Sequence, residues 1–236
     1  MRRSFSFSGV REWLGTTQTR RIRDSFGKGL RIAAAVTLLM AAVGRSMPAQ
    51  APDADWSTPL RHPGWNYGGQ TSGGFTVVQV SSPNFLTANR NITNFALVFH
   101  LARVLTDERG NGCLRGSLEW DFNVIPVEIF WVLGSHYAGG FEALGPRWNF
   151  TGTHRRVVPF AGIAGGMLFS PENFPPGNTY QSNFTIGLDA GAHIFVRARR
   201  SVDVSGRVFH LSNAFLGALN PGIPVGVQFT VGYTWY

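Results

Sequence analysis

The sequence predicts an all-β protein, an eight-stranded antiparallel outer-membrane β-barrel, on the basis of three observations. After Trp56 the chain is rich in Gly, Asn, Phe and Thr and shows no helical periodicity. Segments of about ten residues alternate between apolar and polar side chains, as the strands of membrane barrels do. A basic stretch followed by an apolar run stands at the start of the chain, which is typical of an export signal.

Residues 1–51 are predicted to be a long n-region and a signal peptide. The apolar run 32–43 is shorter than the roughly 20 residues that a membrane-spanning helix needs, and it suits the hydrophobic region of a secretory signal. Ala49-Gln50-Ala51 has the small-x-small pattern of a cleavage site, although Pro52 follows it directly. We therefore expect secretion through the inner membrane with cleavage near residues 49–51. An N-terminal membrane anchor and a start codon farther downstream are alternatives.

The basic charge of the chain is concentrated in this leader. Residues 1–45 hold nine of the 21 Lys and Arg residues and two of the 13 Asp and Glu residues, so the remainder is close to neutral. A nucleic-acid partner is not expected, because such proteins carry a basic surface on the folded domain. The single cysteine, Cys113, excludes an intramolecular disulfide, and the histidines lack metal-ligand spacing. We expect no metal and no cofactor.

Eight candidate strands follow one another along the rest of the chain. Eight is an even number and the smallest common size of a closed membrane barrel. The barrel domain is predicted to be residues 72–236, preceded by an N-terminal segment, residues 52–71. The strands are predicted at residues 72–81, 93–105, 112–124, 138–150, 156–169, 181–197, 200–213 and 224–236.

The clearest alternation runs through residues 183–197. One face is apolar from Phe184 to Val196, and the other carries Asp189 and His193 among small or polar residues. Successive side chains in a strand point to opposite faces, so we expect the apolar face outside and the polar face in the lumen. Residues 125–135 fit this pattern less well and either extend a strand or form a loop.

The same register places charged and aromatic residues. The lumen is expected to hold four charged side chains that could pair there: Glu119, Asp121, Asp189 and Arg207. The aromatic residues at the chain end suit an interface girdle, and a terminal aromatic is common in barrels recognised by the barrel assembly machinery; they are Tyr233, Trp235 and Tyr236.

A soluble lipid-binding barrel would also alternate, with its apolar face inward. Its outer face should then be rich in Lys and Glu. The polar faces here hold Gly, Thr and Asn with few charges. The composition therefore favours the membrane barrel.

His210 and Ser212 stand two residues apart on the apolar face of the strand predicted at 200–213. Polar groups that face lipid cost free energy unless they are partnered. A histidine can deprotonate a serine hydroxyl, which then attacks an ester carbonyl. The pair therefore indicates acyl transfer on a substrate embedded in the bilayer. Two polar residues that merely end a strand at the interface are the alternative.

The run Arg207-Val-Phe-His210-Leu-Ser212-Asn213-Ala214, followed by Asn220-Pro-Gly222, resembles the signature of the PagL-like lipid A 3-O-deacylases, an acyloxyacyl hydrolase family. The resemblance implies an eight-stranded barrel in the bacterial outer membrane that hydrolyses an ester-linked acyl chain of lipid A, the membrane anchor of lipopolysaccharide. It implies that His210 is the base and Ser212 the nucleophile. Asn213 and Asn220 match asparagines near the active site, which could orient the site or stabilise an oxyanion.

One position departs from the family pattern. The family has a glutamate 14 residues after the histidine, and this position is occupied by Pro224, which can neither accept a proton nor orient an imidazole. Glu142, Asp189 and Asp203 are candidate substitutes, although the last two are predicted to face the lumen. Two functions therefore stay open. One is a lipid A deacylase with an altered site, and the other is a non-catalytic small outer-membrane barrel that retains a degenerate His-x-Ser-Asn motif.

Five arginines flank the predicted strands. In a lipid A deacylase such side chains could contact the phosphates of the substrate. Ordinary charges at strand ends are the interpretation that we favour. The residues concerned are Arg155, Arg156, Arg197, Arg199 and Arg200.

Overall fold

The computed structural model describes residues 55–78, 91–152, 156–177 and 179–236. The predicted signal peptide and its cleavage region lie outside these residues. Within the described ranges the helices are two short 3₁₀ segments, Thr58–Leu60 and Gly112–Leu114. Neither is long enough to cross a bilayer.

Nine strand segments make up the described sheet, and most carry the two-residue alternation that predicted them. All of their pairings are antiparallel. In chain order they are β1 (Gly64–Val78), β2 (Thr93–Val104), β3 (Gly116–Trp131), β4 (Ser135–Leu144), β5 (Pro146–Phe150), β6 (Val157–Phe174), β7 (Tyr180–Arg197), β8 (Arg200–Ser212) and β9 (Ile223–Trp235).

The sheet closes on itself because β1 pairs with β9. β4 and β5 pair with the same two strands, β3 and β6, and therefore share one position around the barrel. Gly145 separates them where the backbone passes close to Asp121: a Cβ at position 145 would collide with the Asp121 carbonyl. The nine segments thus form the eight-stranded antiparallel barrel that the sequence predicts.

The two ends of the barrel are distinct. We call the end where β1 begins and β9 finishes the terminus end. The opposite end, where residues 213–222 join β8 to β9, is the loop end.

β1 begins at Gly64, in the segment expected to precede the barrel. Trp65 and Tyr67 point outward and are exposed, while Asn66 between them is buried, so the alternation holds from the first residues of the strand. The alternation is then interrupted at Gly68 and Gly69, which have no side chains. This is why the sequence pattern becomes recognisable only near residue 72.

β3 continues to Trp131, so the segment that fits the pattern poorly extends a strand. A β-bulge around Pro126 shifts the register against both neighbours, at Ile125 and Pro126 against β2 and at Pro126 and Val127 against β4. Ile125 and Glu128 are consequently both buried, and the two-residue alternation breaks between them.

The outer wall of the barrel is apolar, as expected. On β7, Ile186 and Leu188 are 52% and 65% exposed, whereas Asp189 and His193 are buried. A closed sheet that shows large apolar side chains to its surroundings and buries charges suits a bilayer rather than water. The opposite arrangement, expected of a soluble lipid-binding barrel, is not observed on this strand.

Two arginines organise the charges in the lumen. Arg207 forms a two-pronged pair with Glu142, with N–O distances of 2.6 and 3.1 Å. Arg147 lies 2.7 Å from Asp121, and its guanidinium also pairs with Glu119 and Asp189. The four charges predicted to face inward do so, but the partner of the three acids is Arg147, which the sequence reading did not single out.

The terminus end of the barrel is closed by the segment before β1. Leu60 is completely buried, and its carbonyl accepts a hydrogen bond from the Ser117 hydroxyl of β3. Trp56 is buried and lies under the guanidinium of Arg156, which is 4.2 Å from its ring. These contacts fix the N-terminal segment against the lumen.

The chain-terminal aromatics divide between two environments. Trp235 points outward and stacks on Tyr67 with ring centroids 5.8 Å apart, as an interface girdle requires. Tyr233 contacts Trp235 edge-on. Tyr236 instead packs on the buried Phe195, and its hydroxyl lies 3.1 Å from that of Ser201. The girdle prediction is therefore wrong for Tyr236, because the last residue follows the end of β9 and folds inward.

We expect Leu188→Arg to destabilise the barrel in a bilayer by about 2–4 kcal/mol, since Leu188 lies at the middle of β7 and points outward. The same substitution at Val196, on the same face near the strand end, should cost about 0–1 kcal/mol. Denaturant unfolding in phospholipid vesicles measures both changes. Equal losses at the two positions would contradict a lipid-facing wall.

Arg147→Met should destabilise the barrel by about 3–5 kcal/mol, because it leaves buried carboxylates without their cation. Arg103→Met is the matched control. Its guanidinium lies on the outside, 5.3 Å from the ring of Trp65, and its loss should cost about 1 kcal/mol or less. Unfolding in detergent micelles compares the two, and a loss at position 147 as small as that at 103 would rule out the proposed charge centre.

Candidate active site

His210 and Ser212 lie at the loop end of β8, on the outer wall of the barrel. His210 is exposed and Ser212 is half-buried, while Leu211 between them is 1% exposed and faces the lumen. Their neighbours on β7 are Ile186, opposite His210, and Phe184, opposite Ser212. The structure therefore places both residues on the face that the register predicts.

A β-bulge faces His210 on the neighbouring strand. The pairs on either side are Phe209 with Gly226 and Leu211 with Ile223, so two residues of β9 oppose one residue of β8. One of the two is Pro224. A proline interrupts a ladder because it has no N–H, and within sheets it is confined to edges, strand starts and bulges.

The bulge brings the Pro224 carbonyl to the imidazole. The His210 Nδ1 atom lies 3.0 Å from this oxygen, which is hydrogen-bond distance. The expectation that Pro224 cannot orient an imidazole is therefore wrong. The proline side chain cannot accept a hydrogen bond, but the backbone carbonyl of the same residue can.

The candidate substitute carboxylates lie elsewhere. Glu142, Asp189 and Asp203 are all buried in the lumen. Glu142 pairs with Arg207, and Asp203 pairs with His193 at 2.7 Å. Within the described residues, no group of His, Cys, Asp and Glu side chains is arranged to hold a metal ion.

The Ser212 hydroxyl is held by the loop that follows it. Its Oγ accepts hydrogen bonds from the Asn220 side-chain amide at 2.9 Å and from the Ala214 backbone N–H at 3.0 Å. In the described structure it forms no hydrogen bond to His210. Contact between the two needs a side-chain rotation, and catalytic hydrogen bonds commonly tighten only when substrate binds.

The two asparagines of the motif have different surroundings. Asn213 is buried, its Nδ2 donates to the Leu219 carbonyl at 2.8 Å, and its Oδ1 accepts from the Phe215 N–H at 2.9 Å. It therefore braces the loop. Asn220 faces Ser212, and its Oδ1 accepts from the Asn213 N–H at 2.9 Å. Hydrogen bonds thus connect Ser212, Asn213 and Asn220, whereas His210 lies two residues away on the same face and contacts the Pro224 carbonyl.

The loop itself is tightly folded next to Ser212. Ala214 and Phe215 both have positive φ, at 50° and 61°, a conformation that is uncommon outside glycine and often occurs at functional sites. Phe215 is 80% exposed, and Leu216 beside it is also exposed. The loop thus presents apolar side chains to the surroundings directly after the serine.

Arginines flanking the strands lie far from this site. Arg156, Arg197, Arg199 and Arg200 stand at the terminus end, and Arg155 lies outside the described residues. Arg199, for example, donates to the backbone carbonyl of Tyr236 at 2.6 Å. This position agrees with ordinary strand-end charges.

Comparison with known proteins gives one family and several structures. The family model for lipid A 3-O-deacylase (PagL) matches residues 52–234. The crystal structure of the outer membrane enzyme PagL shares 14% identity and a TM-score of 0.46, over 72% of this chain and 99% of that chain. The crystal structure of Neisserial surface protein A is 12% identical, with a TM-score of 0.43, and the match covers 73% of this chain and 98% of that chain. The crystal structure of OprG from Pseudomonas aeruginosa is 7% identical, with a TM-score of 0.37, and the match covers 75% of this chain and 96% of that chain. No curated protein matches.

Asn213→Ala should loosen the loop 213–222 because it removes two hydrogen bonds from a buried amide. Each of these hydrogen bonds contributes about 1 kcal/mol to the stability of the loop. Hydrogen exchange at the Phe215 amide should therefore accelerate by roughly tenfold or more. Leu216→Ala, in the same loop but exposed, serves as the control. Unchanged protection in the Asn213 variant would show that this side chain does not brace the loop.

Proposed function

The chain belongs to the lipid A 3-O-deacylase (PagL) family, and we propose that it is an outer-membrane esterase that hydrolyses an ester-linked acyl chain of lipid A. Ser212 is the nucleophile and His210 the base. The observation that carries this assignment is the pair itself: β8 presents a histidine and a serine side by side on an otherwise apolar wall. Secretion through the inner membrane and insertion by the barrel assembly machinery belong to the same proposal.

The position of the pair suits a lipid substrate. Outer-membrane barrels have short periplasmic turns and longer extracellular loops. The site at the loop end would then lie in the outer leaflet, where lipopolysaccharide resides. Phe184 and Ile186 on β7 and Val208 on β8 expose apolar surface beside it, against which an acyl chain can pack. A substrate already in the bilayer would reach the serine without leaving the membrane.

The chemistry follows from the groups around Ser212. His210 Nε2 accepts the hydroxyl proton while Oγ attacks the ester carbonyl carbon, which forms a tetrahedral oxyanion. The intermediate collapses, the sugar oxygen leaves with the proton from His210, and the acyl group stays on Ser212. Water, deprotonated by His210, then attacks the acyl-enzyme and releases the fatty acid.

Two hydrogen-bond donors lie close enough to Ser212 to stabilise the oxyanion. The Asn220 Nδ2 and the Ala214 N–H both reach Ser212 Oγ within 3.0 Å. When Oγ turns towards His210, these donors are freed close to the reacting carbonyl. Preorganised donors of this kind are commonly the largest electrostatic contribution to acyl transfer.

A non-catalytic barrel is the second candidate. It is favoured by Pro224 at the position of the family glutamate and by the Ser212 hydroxyl, which in the described structure donates to Asn220 Oδ1 at 3.3 Å and not to His210. In that case the His-x-Ser-Asn motif is a relic, and substitution of the serine changes no lipid.

Ser212→Ala is expected to abolish release of the fatty acid, because no other group described at the site replaces the nucleophile. Mass spectrometry of lipid A from an expressing host measures the loss of one ester-linked acyl chain. His210→Gln should lower the rate by at least about 10²-fold, the usual contribution of a general base.

Ser205→Ala is the matched control, since Ser205 lies on the same strand and lines the lumen. It should deacylate lipid A as the unaltered chain does, and all variants should assemble as barrels. Lipid A that keeps its full set of acyl chains with the unaltered chain as well as with the Ser212 variant would support the non-catalytic barrel and refute the esterase.

A further inference from the structure

We infer that the backbone carbonyl of Pro224 is a positioning group of this site, which holds His210 in the one neutral tautomer that can act as a base. The inference rests on the proposed esterase for its chemical meaning. Its geometry, however, is a property of the barrel wall and can be measured separately.

The hydrogen bond determines which ring nitrogen carries the proton. A carbonyl oxygen can only accept, so the Nδ1 atom 3.0 Å away must be the donor. A neutral imidazole has a single N–H, and Nε2 is therefore left with its lone pair. This is the nitrogen that has to take the proton from Ser212.

The fold explains why a carbonyl is available at this point. The bulge places Pro224 and Val225 opposite His210, so regular pairing is interrupted on the β9 side. Bulges occur next to active sites, where they re-aim a group, and proline tolerates such a position. Leu211 and Ile223, the next pair along the ladder, are each 1% exposed and pin the register. The Pro224 carbonyl is thus held against the imidazole by buried packing.

A carbonyl orients the ring without adding a charge. A carboxylate in the same place would fix the same tautomer and would also stabilise the imidazolium that forms when the serine loses its proton. A side-chain amide could flip and donate, which would select the wrong tautomer, whereas a backbone carbonyl cannot. The site therefore keeps the orientation that catalysis needs and lacks the charge, because Glu142, Asp189 and Asp203 are buried in the lumen.

The tautomer can be read directly by nitrogen NMR. The chain contains six histidines, and its ¹⁵N-histidine-labelled form in detergent micelles would give one signal set for each. The set that disappears in the His210→Gln variant belongs to His210. We expect a protonated Nδ1 and an unprotonated Nε2 at a pH where the ring is neutral. A protonated Nε2, or two tautomers in exchange, would overturn the inference.

A backbone substitution tests whether Pro224 is the cause. Replacing Val225 by its α-hydroxy analogue turns the bond after Pro224 into an ester, whose carbonyl is a weaker acceptor. The same replacement at Val227 is the control, since it also removes one N–H from β9 but leaves the Pro224 carbonyl unchanged. We expect the change at 225 to populate the second tautomer and to lower kcat roughly fivefold to tenfold at unchanged KM.

The outcomes separate this inference from the proposed function. If the esters at 225 and 227 give the same tautomer and the same kcat, Pro224 does not position His210. If Ser212→Ala abolishes deacylation while His210 carries its proton on Nε2, the esterase stands and only the present inference fails. If Ser212→Ala leaves deacylation intact, the esterase fails, whichever tautomer His210 adopts.

Discussion

The structure depends on one constraint, the closure of a sheet whose side chains point alternately to the two faces. Closure removes every strand edge, so backbone groups are satisfied by neighbouring strands and the outer wall can be apolar throughout. A polar side chain then either points into the lumen or lies on the outer wall at a cost in free energy. His210 and Ser212 are the exception, because they share a face with Val204 and Val208 and, among the residues that the structure describes, have no charged partner there.

The same constraint explains why charged side chains are paired in the lumen. Carboxylates that cannot face lipid collect inside, where Arg147 and Arg207 neutralise several of them. A cavity of about 60 Å³ lies among the described lumen residues, room for a few water molecules. Leu60 and Trp56 belong to a buried apolar cluster that covers the terminus end. The Arg207–Glu142 pair and the buried Leu211 and Ile223 hold β8 and β9 from within, which suits a site built on strands of the outer wall.

Much of the fold could be predicted from the sequence, and the failures have physical reasons. Alternation located the strands and placed His210 and Ser212 on the correct face, because period two is a local property. It could not show that β1 starts at Gly64, where glycines carry no signal, or that a bulge at Pro126 keeps β3 in the barrel. The role of Arg147 is not visible in the sequence because its three acidic partners come from β3 and β7, which only the folded sheet brings together.

The sequence predicts the residues of the candidate site but not the hydrogen bonds that hold them in place. The motif predicts the histidine, the serine and both asparagines as site residues, but the side chain of Pro224 gives no sign of a role. A backbone acceptor leaves no trace in the residue type, and the bulge that exposes it depends on pairing between β8 and β9. Likewise, the sequence could not separate Asn213, which braces the loop, from Asn220, which contacts the serine.

We propose that Ser212 is a nucleophile activated by His210 on the lipid-facing wall. The most direct test of this proposal is covalent labelling of the chain in lipopolysaccharide-containing vesicles with a long-chain alkyl fluorophosphonate, followed by peptide mass spectrometry. One phosphonate adduct is expected, on Ser212, and it should form much more slowly in the His210→Gln variant. An unlabelled Ser212, or labelling that is equally fast without the histidine, would contradict the proposal.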